Sequence, residues 1–144
     1  MSDLYFDYWK QFLEYAKKSN LHRNFTRRNQ GRFYYGFSLG IGNNDICFMA
    51  KKRDKVIGCE IYLKGVNAKY VFNKLESKKD EIEKELSLKL NWQKLPHAND
   101  SRIIIFTDEN ISEKVNWDNQ FKWLIKNGEK FQHVFYKHIE LILS

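Results

Sequence analysis

Residues 33–64 alternate between apolar and small or polar side chains, and this period of two constrains the fold more than any other feature. It is carried by three segments, at 33–40, at Ile46 to Lys52 and at Val56 to Lys64. Alternation of this kind is typical of strands with one buried face. The connections between the segments are short and polar, and such turns join neighbouring strands as antiparallel hairpins. We therefore expect three consecutive antiparallel strands.

The two faces of the first predicted strand differ in character. One face is strongly apolar and holds Phe33, Tyr35, Phe37 and Leu39. The other begins with Tyr34 and continues with the small residues Gly36, Ser38 and Gly40. Small residues on a strand mark a close approach by a neighbouring element. We therefore expect a helix to pack against this second face.

Helical periodicity flanks the three strands. Apolar residues recur every three or four positions in three regions, which predicts three helices. The first helix covers Leu4 to Ala16, and the last runs from Trp117 to Phe135. The second is long: it follows the N-cap candidate Asn67 and reaches Leu86. Two more strands are expected at 88–95 and 102–107. The predicted fold class is α+β, with a five-stranded, mainly antiparallel sheet, helices packed on one face and the order α-β-β-β-α-β-β-α.

Length and composition predict a single domain over residues 1–144. A chain of 144 residues is too short for two domains of ordinary size, and 42% hydrophobic residues supply a core. No apolar run approaches the ~18 residues of a membrane span, and the early acids Asp3 and Asp7 are untypical of a signal peptide. Cys47 and Cys59 lie in predicted strands and are expected to be buried, reduced thiols. These features predict a cytoplasmic location.

The formal net charge of +7 is concentrated in the first third of the chain. The stretch from Lys17 to Arg32, which we call the basic segment, contains six basic residues and no acid. A second basic cluster occupies residues 51–55, where Asp54 is the single acid. A localised excess of this kind is expected of a surface that attracts phosphate. A basic face that serves only solubility has the same composition.

Candidate contacts to nucleic acid combine these clusters with two further cations. Aromatic side chains beside lysine on an open sheet face can stack bases and hold phosphates, which makes Tyr34 and Tyr62 candidate stacking residues. The alternative is that both tyrosines lie under the first helix as ordinary core. Arg102 is either an anion contact or a structural residue paired with a carboxylate. The candidate phosphate contacts are Arg23, Arg27, Arg28, Arg32, Lys51, Lys52, Arg53, Lys64 and Arg102.

The sequence contains no complete catalytic or metal-binding motif. Residues 36–40 match the letters of a Gly-x-Ser-x-Gly nucleophile elbow, but they lead from one strand into another and not into a helix. Glu76-Ser77-Lys78 has the spacing of a metal-dependent nuclease motif, but it falls in the long predicted helix and not on a strand. His133 and His138 are five residues apart, which separates them around a helix. We therefore favour a non-enzymatic role and expect no cofactor and no metal, with an enzyme of unassigned substrate as the alternative.

Several spaced motifs across nearly the whole chain carry a family resemblance. In order they are Phe37-Ser38-Leu39-Gly40, Glu60-Ile61-Tyr62-Leu63, Phe72-Asn73-Lys74-Leu75, Lys79-Asp80-Glu81-Ile82-Glu83, Leu90-Asn91-Trp92-Gln93-Lys94-Leu95-Pro96, Ser101-Arg102-Ile103, Trp123-Leu124 and Val134-Phe135. Together they resemble the bacterial domain-of-unknown-function family numbered 4268. The family's strand motif usually continues past Gly40 with a basic residue. This chain has Ile41 there, which argues against an anion contact at that position.

The resemblance implies work on or near DNA. Members are often the C-terminal part of longer proteins whose N-terminal part resembles a restriction-type nuclease, and others stand alone, as this chain is expected to. The first hypothesis is a non-enzymatic, nucleic-acid-associated accessory module, linked to DNA restriction or defence. The second is a protein-interaction or dimerisation domain that docks on a nuclease-like partner or on itself. Trp123, off the main stripe of the last helix, is its candidate interface residue.

Overall fold

A computed structural model describes residues 3–144, with four α-helices, five strands and three short 3₁₀ turns in that range. The helices are α1 (Asp3–Tyr15), α2 (Ala68–Glu76), α3 (Lys79–Leu86) and α4 (Trp117–Leu143). The strands are β1 (Tyr34–Ser38), β2 (Asn44–Lys51), β3 (Val56–Leu63), β4 (Asn91–Gln93) and β5 (Ser101–Asp108). The 3₁₀ turns are Ala16–Lys18, Asn20–Asn24 and Lys114–Asn116.

The five strands form one sheet in the order β1-β2-β3-β5-β4, and every neighbouring pair is antiparallel. Ile46, Ile61 and Ile103 face one another on adjacent strands and are fully buried. This apolar row fixes the register, because a slip of one residue would turn these side chains to the other face. The structure confirms the predicted α+β class and the antiparallel sheet.

The core lies between this apolar face of the sheet and the helices. α4 crosses β2 and β3, α2 packs on β3 and β5, and α1 packs against α4. Phe12 of α1 joins the layers, since its ring centroid lies 5.4 Å from that of Phe48 in β2 and 5.6 Å from that of Phe121 in α4. Edge-to-face pairs of this kind contribute about 0.5–1.5 kcal/mol beyond the area they bury. No helix among residues 3–144 is long and apolar enough to cross a membrane.

The prediction of one long second helix is wrong. The structure has two helices in this region, α2 and α3. Ser77 Oγ donates to the carbonyl oxygen of Lys74 (2.6 Å), and the Lys78 amide donates to Leu75 three residues back. These bonds close the last turn of α2 and redirect the chain. The Glu76–Lys78 tripeptide therefore lies at a helix break. Asn67 stands at the N-cap position of α2 without a side-chain capping bond.

β4 is also much shorter than predicted, with three residues. The amides of Leu88 and Leu90 donate to the backbone carbonyl and the carboxylate of Glu83 in α3. Residues 88–90 therefore bond to a helix and not to the sheet. β4 pairs with β5 only from Arg102 to Ile104, so the outer edge of β5 beyond that point has no strand partner in the described chain.

The second face of the sheet carries none of the helices described within residues 3–144, and we call it the open face. The expectation that a helix packs against Gly36 is wrong. A Cβ at Gly36 would lie 3.0 Å from the Cys47 sulfur and 3.3 Å from Nη1 of Arg27, so an arginine side chain occupies the space above this glycine. Cys47 is buried on the open face and Cys59 on the core face, and both are free thiols.

Candidate nucleic-acid interface

Alternate residues of the strands line the open face, as the register dictates. They include Tyr34 and Gly36 of β1, Asp45, Cys47 and Met49 of β2, Glu60 and Tyr62 of β3, and Arg102, Ile104 and Phe106 of β5. Met49, Ile104 and Cys47 are nearly fully buried, yet they lie outside the hydrophobic cluster shared with the helices. The open face therefore has its own small apolar floor, with polar and aromatic side chains around it.

The second half of the basic segment is held along the edge of β1 by hydrogen bonds to its backbone. The Tyr35 hydroxyl donates to the carbonyl of Arg27 (2.6 Å), and Trp9 Nε1 donates to the carbonyl of Arg32 (2.7 Å). Between these anchors, the Asn29 side chain donates to the carbonyl of Phe6 and accepts from the Gly31 amide. The arginine side chains thus project from a fixed backbone.

Asp45 gathers two of the predicted cations at this edge. Both nitrogens of the Arg27 fork donate to its two carboxylate oxygens, at 2.9 and 3.0 Å, and Lys64 Nζ donates to Oδ2 at 3.0 Å. Burial opposes ionisation of Asp45, but the hydrogen bonds from Arg27 and Lys64 outweigh it and lower its pKa. The carboxylate neutralises one of the two cations and orients both.

A cleft of about 280 Å³ opens where the basic segment meets the open face. Arg28 and Arg32 form no salt bridge within residues 3–144, so their charges face the cleft without a carboxylate partner. Arg32 Nη1 donates to the Tyr34 hydroxyl (3.1 Å). The lining residues are Arg27, Arg28, Gln30, Arg32, Tyr34, Tyr35, Gly36, Asp45, Cys47, Tyr62 and Lys64.

Next to the cleft, Tyr62 and Arg102 form a second polar group around Glu60. The Tyr62 hydroxyl donates to Asp100 Oδ2 (2.5 Å), which, with burial, raises its pKa to about 12. The Arg102 guanidinium lies 5.5 Å from the Tyr62 ring centroid, within cation–π range. Its Nε is 3.6 Å from Glu60 Oε2, so Arg102 does pair with a carboxylate, at a distance too long for a hydrogen bond.

Both tyrosines predicted to stack bases lie on the open face and not under α1. Tyr34 is 38% exposed and Tyr62 is half-buried, and neither belongs to the core cluster. Tyr34 also touches an aromatic group at the far end of the face. Its ring centroid is 5.1 Å from that of Phe33, and Lys51 Nζ lies 5.9 Å from Phe33 and 5.1 Å from Phe106. Phe33, which alternation assigned to the apolar face, precedes β1, is 44% exposed and lies outside the core cluster.

The remaining predicted cations lie elsewhere. Lys52 and Arg53 occupy the exposed turn between β2 and β3, where the Lys52 amide donates to the Tyr5 hydroxyl. Arg23 is exposed in a 3₁₀ turn and does not line the cleft. Trp123 is half-buried and packs against the core beside a groove that also contains Leu88, Leu90 and part of β5.

Sequence reasoning missed Asp45 and Asp100 as members of the site. Asp45 directly follows a turn at the start of a strand. Its pairing with Arg27 depends on how the basic segment lies against the sheet, which the sequence does not show. A second basic groove, between the end of α1 and the middle of α4, was missed as well. It contains Tyr15, Lys18, Lys122 and Lys126, and the four-residue spacing of the last two on one helix was the available signal.

Within residues 3–144, no three histidine, cysteine, aspartate or glutamate side chains come together as a metal site would require. The Cys47 thiol is not an activated nucleophile, because burial and the nearby Glu60 and Asp45 raise its pKa to about 12. The described site is built from arginine, lysine and aromatic side chains around Asp45.

Comparison with protein-family models matches residues 4–139 to a domain of unknown function, DUF4268. The match spans nearly the whole chain and confirms the family resemblance drawn from the spaced motifs. Comparisons with curated proteins and with solved structures found no significant match.

Proposed function

We propose that this chain, which belongs to the DUF4268 domain-of-unknown-function family, is a non-enzymatic module that binds nucleic acid through the cleft and the open face beside it. The observation that carries the proposal is the position of Arg28 and Arg32. Both line a cleft that opens onto an uncovered sheet face with Tyr34 and Tyr62, and neither has a carboxylate partner in the described chain. Cations gathered in a concave site attract phosphate groups.

Arg27 and Lys64 add to this site despite their bonds to Asp45. A guanidinium carries five N–H donors and an ammonium three, so the bonds to one carboxylate leave donors free. Two cations around a single anion also retain one net positive charge. Asp45 thus holds both side chains in place for a phosphate, which reduces the conformational entropy lost on binding.

The test is binding of labelled DNA by fluorescence anisotropy over a salt series. Log affinity should fall linearly with log salt concentration, because bound counterions are released from the phosphates. The Arg28→Gln/Arg32→Gln double variant should weaken binding and reduce the slope of this line by about 1 to 2. The same measurement on short RNA shows whether the site accepts either backbone.

A matched control is the Lys10→Gln/Lys84→Gln variant. It removes the same charge from exposed positions on α1 and α3, which lie outside the cleft. It should retain the wild-type slope. Absence of binding at ~50 mM salt, where phosphate contacts are strong, or equal losses in both double variants, would contradict the proposal.

The biological setting that fits such a module is a bacterial cytoplasm, in a system of DNA restriction or defence and with a nuclease-like partner. This setting rests on the family resemblance alone. The module would then supply affinity for nucleic acid, and the partner would supply the chemistry.

The second candidate function is protein docking or self-association, and the free edge of β5 favours it. Beyond Ile104 the outer edge of this strand lacks a partner among the described strands, and the groove beside it contains Trp123, Leu88 and Leu90. Exposed strand edges pair readily with another chain. The two functions use different surfaces, so the surface that a ligand perturbs distinguishes them.

A further inference from the structure

We infer that the nucleic acid bound here is single-stranded and that its unpaired bases lie on the open face around Glu60. This inference rests on the proposed function and specifies its ligand. It follows from two aromatic platforms and from a buried carboxylate between them, one oxygen of which accepts no hydrogen bond.

The first platform is Tyr62 with Arg102, whose guanidinium lies 5.5 Å from the tyrosine ring centroid. It borders the arginine-lined cleft, because Tyr62 lines that cleft as well. A base stacked here would place its phosphates within reach of Arg28 and Lys64. Stacking on aromatic and guanidinium planes is the usual way in which proteins hold unpaired bases.

The second platform lies at the other end of the open face and consists of Phe33, Tyr34 and Phe106, with Lys51 between the phenylalanines. These aromatic residues are 44%, 38% and 39% exposed, which is unusual for side chains of this size. Phe106 stands above Gly58, where a Cβ would lie 2.7 Å from its ring. The missing side chain of Gly58 thus leaves room for the ring.

Glu60 lies between the platforms. Gly58, Glu60 and Tyr62 point to the same face of β3, so the platforms are about 13 Å apart along the strand. A span of this length suits two or three splayed nucleotides, as on other open sheets that bind RNA. The faces of paired bases are covered in a duplex, so a duplex could use the cations of the cleft but not the platforms.

One oxygen of the Glu60 carboxylate, Oε2, is buried and accepts no hydrogen bond. The nearest cationic atom is Nε of Arg102, 3.6 Å away and likewise without a hydrogen bond, so a base reaches this oxygen only when the side chains around it move. Buried polar atoms of this kind are rare without a partner. The exocyclic amino group of cytosine is a donor that carboxylates recognise, whereas thymine and uracil present a carbonyl there.

The experiment measures anisotropy with oligonucleotides of about 12 nucleotides, within the usual site size for single-strand binders. The probes are oligo-dC, oligo-dT, the corresponding RNAs, and a mixed-sequence single strand with its duplex. We expect the mixed single strand to bind at least about tenfold more tightly than its duplex, and oligo-dC more tightly than oligo-dT. Glu60→Gln should reduce the preference for cytosine.

Tyr62→Ala and Phe106→Ala should each weaken single-strand binding by about tenfold and so reduce the preference for the single strand over its duplex. Tyr62→Phe keeps the ring and should retain affinity, which separates stacking from loss of the bond to Asp100. Tyr70→Ala on α2, an exposed aromatic residue away from the open face, is the control. Circular dichroism confirms that each variant is folded.

The outcomes distinguish this inference from the proposed function. Salt-dependent binding in which the duplex equals or exceeds the single strand would leave the proposed function standing and overturn the inference. Full affinity in Tyr62→Ala and Phe106→Ala would also overturn it. Absence of binding to every probe would contradict the proposed function itself, and this inference with it.

Discussion

Two carboxyl groups on the open face illustrate how neighbours decide charge at the scale of single residues. Asp45 and Glu60 are both buried on adjacent strands. Asp45 receives hydrogen bonds from two cations, which outweigh burial and lower its pKa. Glu60 has no such donors, so burial dominates and raises its pKa, with partial relief from Arg102 and Lys51. Asp45 is therefore ionised and orients its two cationic partners. Glu60 has no cation hydrogen-bonded to its Oε2 and depends on a ligand for a donor.

The role assigned to Asp45 predicts a pH-dependent contribution to stability. Its pKa is lower in the folded chain than in the unfolded chain, so the contribution is complete above its ordinary pKa and is lost as the pH falls through the folded value. Asp45→Asn should lower the free energy of unfolding by about 1–3 kcal/mol at neutral pH, because it removes the negative charge and one of the two acceptor oxygens that hold the two cations.

Urea unfolding at about pH 7 and about pH 3, on either side of the ordinary aspartate pKa, checks this prediction. The difference between wild type and Asp45→Asn should shrink at the lower pH. Asp54→Asn, in the exposed turn between β2 and β3, is the matched control and should be neutral at both. A loss for Asp45→Asn that is equal at both pH values would show that the ion pairs do not stabilise the fold.

At the scale of elements, the position of α4 on the sheet depends on Gly128. A Cβ there would lie 2.6 Å from Cζ of Phe48 and 3.1 Å from Cδ1 of Leu21. Phe48 cannot move away, since it is fully buried against Phe12 and Phe37. The close contact between α4 and β2 thus requires a residue without a side chain at position 128.

We predict that Gly128→Ala destabilises the fold by about 1–3 kcal/mol through overpacking. In an unconstrained helix this change would stabilise by about 1 kcal/mol, because alanine is the better helix former. Thermal or urea unfolding measures the sign directly. Asn119→Ala, at an exposed position of the same helix, is the control and should have little effect. Increased stability in Gly128→Ala would contradict the packing described here.

The strands were predictable because alternation is a local signal, and β1, β2, β3 and β5 lie where the period of two placed them. The failures have long-range causes. β4 is short because Glu83 in α3 takes up the amide of Leu90, and the side-chain bond of Ser77 closes α2 early. Neither hydrogen bond can be predicted from the hydropathy pattern, because that pattern reports burial and not hydrogen-bond partners.

The candidate site was predictable in its residue types but not in its grouping. The cleft contains Arg27, Arg28, Arg32, Lys64, Tyr34 and Tyr62, all singled out from charge and alternation. Its centre, Asp45, was not, because an acid beside a turn is common. Arg23, Lys52 and Arg53 do not line the cleft, since neighbours in sequence separate once the chain turns. Whether any of these residues contacts nucleic acid remains a prediction.

At the scale of the whole molecule, the fold divides into a structural face and a face available to a ligand. Helices α1, α2 and α4 cover one side of the sheet and supply the core. Among residues 3–144, the other side has no helical layer and instead holds the second half of the basic segment, the aromatic platforms and Glu60. The net charge of +7 is therefore less informative than its placement beside an uncovered sheet.

The measurement that tests this account most directly is a titration of the ¹⁵N-labelled chain with a short cytosine-rich single strand, followed by two-dimensional NMR. The account predicts that the perturbed amides belong to residues 27–36 and to the open-face positions of β2, β3 and β5. The groove beside Trp123 and the basic groove of Lys122 and Lys126 should stay unperturbed. Shifts confined to either groove, or no shifts at low salt, would contradict the claim that the open face binds single-stranded nucleic acid.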